Sequence, residues 1–139
     1  MIELVVIMVI IGILAVVAIA RMDTSGYRAL EFHDKTVAAL RYAQKTATSH
    51  RRLVCVTFPD DSTLTLSIAL SAGAACSQPL FLPGTTSSSV VSGDQINAKF
   101  TSGHTAFDFQ PDGSGSDLTI SISSGQPSIV VVGTTGSVY

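Results

Sequence analysis

Positive charge all but vanishes after residue 52. From Leu53 to Tyr139 the only basic residue is Lys99, set against Asp60, Asp61, Asp94, Asp108, Asp112 and Asp117, a net of −5. A surface that grips phosphate needs clustered Lys and Arg, so no nucleic-acid partner is expected for this part of the chain. Cysteine is scarce as well. Cys55 and Cys76 are the only two, and neither falls at a C-x-x-C or Cys/His spacing that would hold zinc. No G-x-S-x-G, phosphate loop or H-E-x-x-H is present, and His33, His50 and His104 stand without a carboxylate or cysteine at ligand spacing. Catalysis is therefore not expected, and the three histidines are read as surface residues. Internal repeats are missing too.

The most telling absence is of polar side chains between residues 4 and 20, LVVIMVIIGILAVVAIA. A helix through residues 1–20 would span about 30 Å at ~1.5 Å per residue, which matches a hydrocarbon core. A helix buried in so small a soluble protein would need a polar face, and none is offered. This segment is read as membrane-inserted. The basic stretch that ordinarily precedes such a run is lacking, and a single carboxylate, Glu3, stands at its start.

Between Arg21 and Arg52 the balance reverses to seven basic residues against three acidic ones, a net of +4, which with the −5 beyond and Glu3 gives −2 overall. The DTSG stretch at 23–26 is poor in helix formers and predicts a weakened joint. From Tyr27 to about His50 the pattern is helical: Leu30, Val37, Leu40, Ala43 and Ala47 recur at spacings of three, four and seven, while Arg28, Glu31, Asp34, Lys35, Arg41 and Lys45 fall on other faces. His50, Arg51 and Arg52 complement the negative end of the helix dipole.

Beyond Leu53 the period changes to two. LVCVTF, STLTLSIAL, TAFDFQ, DLTISIS and PSIVVV alternate or are β-branched, and Pro, Gly, Asp and Ser clusters separate them. They predict an antiparallel sheet covered by the apolar stripe of the 27–50 helix. The Ser-, Gly- and Ala-rich stretch from Gly73 to Gly93 predicts a long surface loop. The fold class is α+β, with a long N-terminal helix packed by its second half on an antiparallel head. Residues 1–20 form a transmembrane and assembly helix, 21–52 a joint and amphipathic helix, and 53–139 a β-rich periplasmic head.

Cys55 and Cys76 would be free thiols in the cytosol and a candidate disulfide outside it. Because the anchor implies export of the residues beyond it, a disulfide is expected, on compartment and not on geometry. It would stabilise the fold by about 3 kcal/mol on the chain-entropy model. No cofactor is expected. The DGSGSD stretch places Asp112, Asp117 and several hydroxyls where calcium is a weak alternative to a plain hairpin turn, since the order of a calcium loop is lacking. For Glu3 two readings stay open: an interfacial carboxylate at a helix N-terminus, or an intramembrane charge awaiting a partner. A cleaved signal peptide is the rival for the whole first segment, because Ala18-Ile19-Ala20 resembles a small-x-small cleavage site; it would leave a soluble periplasmic binding domain.

MIELVVIMVIIGILAVVAIA resembles the N-terminal helix of type IV pilins and type II secretion pseudopilins, whose mature chains commonly begin F-T-L-[IV]-E-L before an apolar run with Gly. Met1, Ile2, Glu3 and Leu4 match the third to sixth positions, and Gly12 matches the glycine. The helix and first strand, FHDKTVAALRYAQKTATSHRRLVCVTF, are similar to minor subunits of the GspH/FimT type, and among them to the minor pilins of mannose-sensitive haemagglutinin (MSHA) pili. The closing GSVY is similar to the family's terminal G-x-V. Ala20 stands where the family often has Pro.

The resemblance implies a subunit drawn out of the inner membrane and packed helix against helix into a pilus or a secretion pseudopilus. It implies assembly roles for Glu3, which would meet the N-terminal amine of a neighbour, and for Gly12. Its implied partners are other pilin or pseudopilin subunits, the inner membrane and a prepilin peptidase. With Met1 at the third mature position, an upstream leader containing Lys or Arg and ending in Gly before Phe-Thr is expected. An in-frame stop directly before Met1 would favour the signal-peptide rival.

Overall fold

The computed structural model describes residues 2–19, 25–123 and 125–139, without the side chains of residues 17–19 and 25. Helix α1 runs over Ile2–Ile19 with Glu3 in its first turn, and helix α2 over Ser25–His50. Eight strands complete the chain: β1 Val54–Asp60, β2 Thr63–Ala69, β3 Cys76–Pro79, β4 Ser89–Val91, β5 Phe100–Ser102, β6 Phe107–Phe109, β7 Leu118–Ile122 and β8 Ile129–Val131. Of the expected joint, Asp23 and Thr24 lie outside the described residues, while Ser25 and Gly26 belong to α2. Helices α1 and α2 are thus described separately, with residues 20–24 between them outside the described residues.

Helix α2 buries Ala29, Phe32, Thr36, Ala39, Leu40, Ala43 and Ala47. Their steps of three and four residues lay one stripe along the helix. Four alanines let the helix approach the sheet closely. Thr36 sits among them because its hydroxyl donates to the Phe32 carbonyl at 2.8 Å, which leaves no polar group unpaired. The sequence-based stripe is partly corrected here: Leu30 is 44% exposed, whereas Ala29, Phe32 and Ala39 face inward. The helix ends at Arg51, whose φ of 51° is left-handed, and the Arg52 amide reaches back to the Ala47 carbonyl at 3.2 Å. That six-to-one bond is a Schellman closure, with arginine at a position usually held by glycine.

Helix α2 packs on β1, β2, β4 and β6 of the larger sheet, whose order is β3-β2-β1-β6, with β4 also paired to β2. All its pairings are antiparallel. Val54 and Val56 of β1, Leu64 and Leu66 of β2, and Phe107 and Phe109 of β6 point to the core. A second antiparallel sheet, β5-β7-β8, adds Phe100, Ile120, Ile122, Ile129 and Val131 to the same core. Two sheets therefore replace the single expected one, and α2 reaches both, since the rings of Phe32 and Phe100 lie 4.9 Å apart.

The 73–93 stretch is not the irregular loop its composition predicts. It carries β3 and β4, which share one edge of β2, opposite Ser67–Ala69 and Thr63–Thr65 respectively. Backbone pairing satisfies it, with Leu80 donating to Leu66 and Leu66 to Ser88, while Leu80 and Val90 anchor it in the core.

Candidate functional site

Twelve large apolar side chains of α1, from Ile2 to Val16, are between 49% and 79% exposed. Burying such side chains is worth ~1.5–3 kcal/mol each, so a surface of this kind represents on the order of 20 kcal/mol awaiting a cover. Glu3 is the one charge on the helix, exposed in its first turn among Ile2, Leu4 and Val5. A Cβ at Gly12 would meet nothing within 4 Å, so the head does not require glycine there. Among the described residues no helix is long and apolar enough to cross a membrane. Helix α1 as described has 18 residues, about 27 Å against ~30 Å of hydrocarbon. Met1 and Ala20 of the expected 1–20 span lie outside the described residues.

In the head, the sulfurs of Cys55 and Cys76 are bonded at 2.02 Å, with Cα atoms 6.2 Å apart, joining β1 to the start of β3 across the edge of β2. Asp112 and Asp117 accept from different partners. Asp112 accepts from the Ser114 amide at 2.9 Å and the Ser114 hydroxyl at 2.6 Å, which holds its carboxyl below the ordinary value. Asp117 accepts instead from the Gly133 amide at 2.7 Å. Asp112 thus closes a local turn while Asp117 ties the start of β7 to Gly133, just beyond β8, and no group of three potential metal-ligating side chains occurs among the described residues. Of the histidines, His50 is exposed, whereas His33 and His104 are half-buried. His104 stacks on Phe100 at 6.1 Å and meets Phe58 edge-on.

Two features lie outside the helical and period-two patterns, the second of them at the closing GSVY. The first is a groove of about 500 Å³ between α2 and the β3–β4 segment, lined by Ala38, Ala39, Tyr42, Leu82 and Val90. More than half of its wall comes from the stretch whose composition suggests a loop. The second is the closure of the C-terminal segment onto α2. Val138 is buried and bridges to Val131, and Val130 and Tyr139 exchange backbone hydrogen bonds. The Arg41 guanidinium donates to the Val138 carbonyl at 3.0 Å and the Gln44 amide to the Thr135 carbonyl at 2.8 Å. Gly136, at φ 64°, passes so close that a Cβ would lie 1.9 Å from the Gly113 carbonyl. Glycine is required there on both counts.

At the other end of α2, Arg28 donates to the Gly93 carbonyl at 3.3 Å. Lys35 and Glu31 pair at 2.6 Å, and this pairing, with a smaller contribution from Arg28, lowers the Glu31 pKa.

The family model described as type II transport protein GspH matches residues 34–136, which include most of α2 and all eight strands. None of the curated proteins matches. Among solved structures, the type IV minor pilin FimU of Pseudomonas aeruginosa superposes with a TM-score of 0.58 at 16% identity, covering 84% of this chain and 90% of that one. The minor pseudopilin EpsH of the Vibrio cholerae type 2 secretion system gives 0.59 at 12%, covering 84% and 97%. At such identities the likeness speaks for the fold, which is the pilin-like α+β arrangement of a helix on antiparallel sheets. The family match spans most of the chain, and the protein belongs to the GspH family.

Proposed function

We propose that the chain is a structural, non-enzymatic minor subunit of a type IV-like pilus, held in the inner membrane by α1 and incorporated into the filament by packing α1 against the same helix of its neighbours. The carrying observation is the exposed apolar surface of α1 with one carboxylate in its first turn, attached to a head of the GspH family. Lipid covers such a helix before assembly and neighbouring helices cover it afterwards. Glu3 gives the assembled state its register. A lone carboxylate in an apolar core is costly, ~2.5–3.5 kcal/mol on insertion scales, and a neighbour's N-terminal amine offsets that cost only when the two helices are correctly staggered. Gly12 allows close approach of helices within the filament. The partners are other pilin or pseudopilin subunits, the inner membrane and a prepilin peptidase, and no cofactor or nucleic acid is needed.

Glu3→Leu is the test. The variant inserts into the membrane at normal levels but is missing from sheared filaments, because only the assembled state needs the charge. Normal amounts of variant in the filaments would reduce Glu3 to an interfacial residue.

A second reading, minor pseudopilin of a type II secretion system, is supported by the family's own description and by a likeness to EpsH equal to that to FimU. The MSHA-like helix FHDKTVAALRYAQKTATSH favours the pilus. Deleting the gene separates them: loss of surface filaments marks the first, loss of secreted enzymes the second.

A further inference from the structure

Seven large apolar side chains of the head are exposed among the described residues, and they are not spread evenly. Tyr27 at 74% and Leu30 at 44% lie one turn apart at the start of α2. Val91, 50% exposed, borders the same cleft as Arg28 and Glu31. Ile96, at 82% the most exposed of the seven, lies three residues beyond Gly93, whose carbonyl receives Arg28. Its amide is held by the Asp94 carboxylate at 3.3 Å. Asp94 also accepts from Asn97, and Arg28 lies close enough to add to the lowering of its pKa. Four of the seven thus belong to the end of the head that carries Arg28, with Val91 and Ile96 on its cleft side and Tyr27 and Leu30 on other faces of the first turns of α2. The carboxylates there are engaged, Asp94 by Asn97 and Ile96 and Glu31 by Lys35.

That end is also the end nearest α1. Five residues separate Ile19 from Ser25, and a chain of that length reaches at most about 20 Å. If α1 stands in a bilayer, the start of α2 cannot be farther than this from its surface. Tyrosine beside aliphatic side chains and a cation is the composition that settles at a membrane–water interface, ring and alkyl groups at the acyl boundary and the guanidinium on lipid phosphate.

We propose that this end of the head, which exposes Tyr27, Leu30, Val91 and Ile96 and carries Arg28, rests on the headgroup layer of the bilayer that holds α1, so that the unassembled subunit lies with its head seated on the membrane. The inference rests on the membrane-anchored reading above, and the two fail separately. The chain has no tryptophan, so a single introduced one reports its surroundings. Three full-length variants are reconstituted in vesicles of phosphatidylethanolamine and phosphatidylglycerol containing lipid brominated near the headgroup. Ile7→Trp reports insertion of α1. Ile96→Trp reports this end of the head. Leu70→Trp, an exposed site directly after β2 whose end pairs with Leu53 beyond the far end of α2, is the control.

The expected result is strong quenching of the tryptophans at 7 and 96, at 96 roughly twofold or more above that at 70. Quenching at 7 without excess quenching at 96 over 70 overturns the seated head and leaves the anchor standing. No quenching at 7 overturns both. A spectral shift at 96 that tracks protein concentration and ignores lipid assigns this end to a second copy and overturns the proposal.

Discussion

Arg51 occupies a backbone position that its side chain does nothing to justify. At φ 51° an L-residue pays ~1–2 kcal/mol for the approach of Cβ to the following carbonyl, and Arg51 is the one described residue other than glycine with positive φ. The Schellman bond from Arg52 to Ala47 needs that conformation, so the strain is held by the helix end itself. Arg51→Gly is expected to raise the stability of the chain by about 1 kcal/mol, the relieved strain exceeding the extra freedom of the unfolded glycine. Thermal denaturation of both proteins checks this, and an unchanged or lower Tm would locate the compensation in contacts of the Arg51 side chain. Asp60 shows the opposite case: its carboxylate accepts from the Ser62 hydroxyl at 2.6 Å and the Ser62 amide at 2.8 Å, so one side chain fixes the β1–β2 turn. Those bonds lower its pKa.

Among the elements, β2, β6, β7 and β8 each lie inside a run that alternates or is β-branched, and β1 starts in one and runs two residues past it to Asp60, so the existence of all five is readable without coordinates. β3, β4 and β5 are not. Cys76–Pro79 exposes three of its four residues, and Ser89–Val91 and Phe100–Ser102 are too short to show a period. Their pairing is decided by the free edges of β2 and β7, which are tertiary facts. The stripe on α2 departs from the apolar spacing for a related reason. Leu30 announces itself as apolar yet stays in water, while the helix turns alanines and a back-bonded threonine to the core, residue types that give little hydrophobic periodicity. Glu3 and Gly12 are visible only through the pattern of the first twelve residues, whereas the α2–β4 groove depends on a segment that sequence leaves blank.

β3 depends on its covalent tie as well as on backbone pairing. It has little buried surface of its own, and the Cys55–Cys76 bond anchors it to β1. Replacing both cysteines by serine is expected to cost about 3 kcal/mol, the entropy of freeing a loop of this length in the unfolded chain. Denaturant titration measures the loss. Intact-mass analysis under alkylation tests the bond directly in protein from the periplasm, and two alkylatable thiols before reduction would contradict it.

For the whole molecule, charge is the broadest constraint. The head beyond residue 52 carries one lysine against six aspartates, and that lysine, Lys99, is paired with Asp61 at 3.4 Å. Its field repels a polyanion. Residues 22–139 are expected to show no DNA binding at physiological salt in an anisotropy titration; micromolar binding with a steep salt slope would refute this.

Helix α2 also has a mechanical meaning. If the subunit is held in a filament by α1, as proposed above, tension enters the head at the start of α2. Along its axis the helix is fastened to both sheets in parallel: by Arg28 to Gly93, by the Phe32 ring to Phe100, by Arg41 to Val138 and by Gln44 to Thr135. Force in this direction shears all the attachments together, whereas force on the terminal Val130–Tyr139 pairing peels hydrogen bonds one after another. Optical-tweezer handles at Tyr27 and Leu70 should therefore rupture the head at higher force than handles at Gly125 and Tyr139. Equal forces would show that the helix is a passenger. On this geometry the head is expected to behave as an anisotropic solid, stiffest along α2.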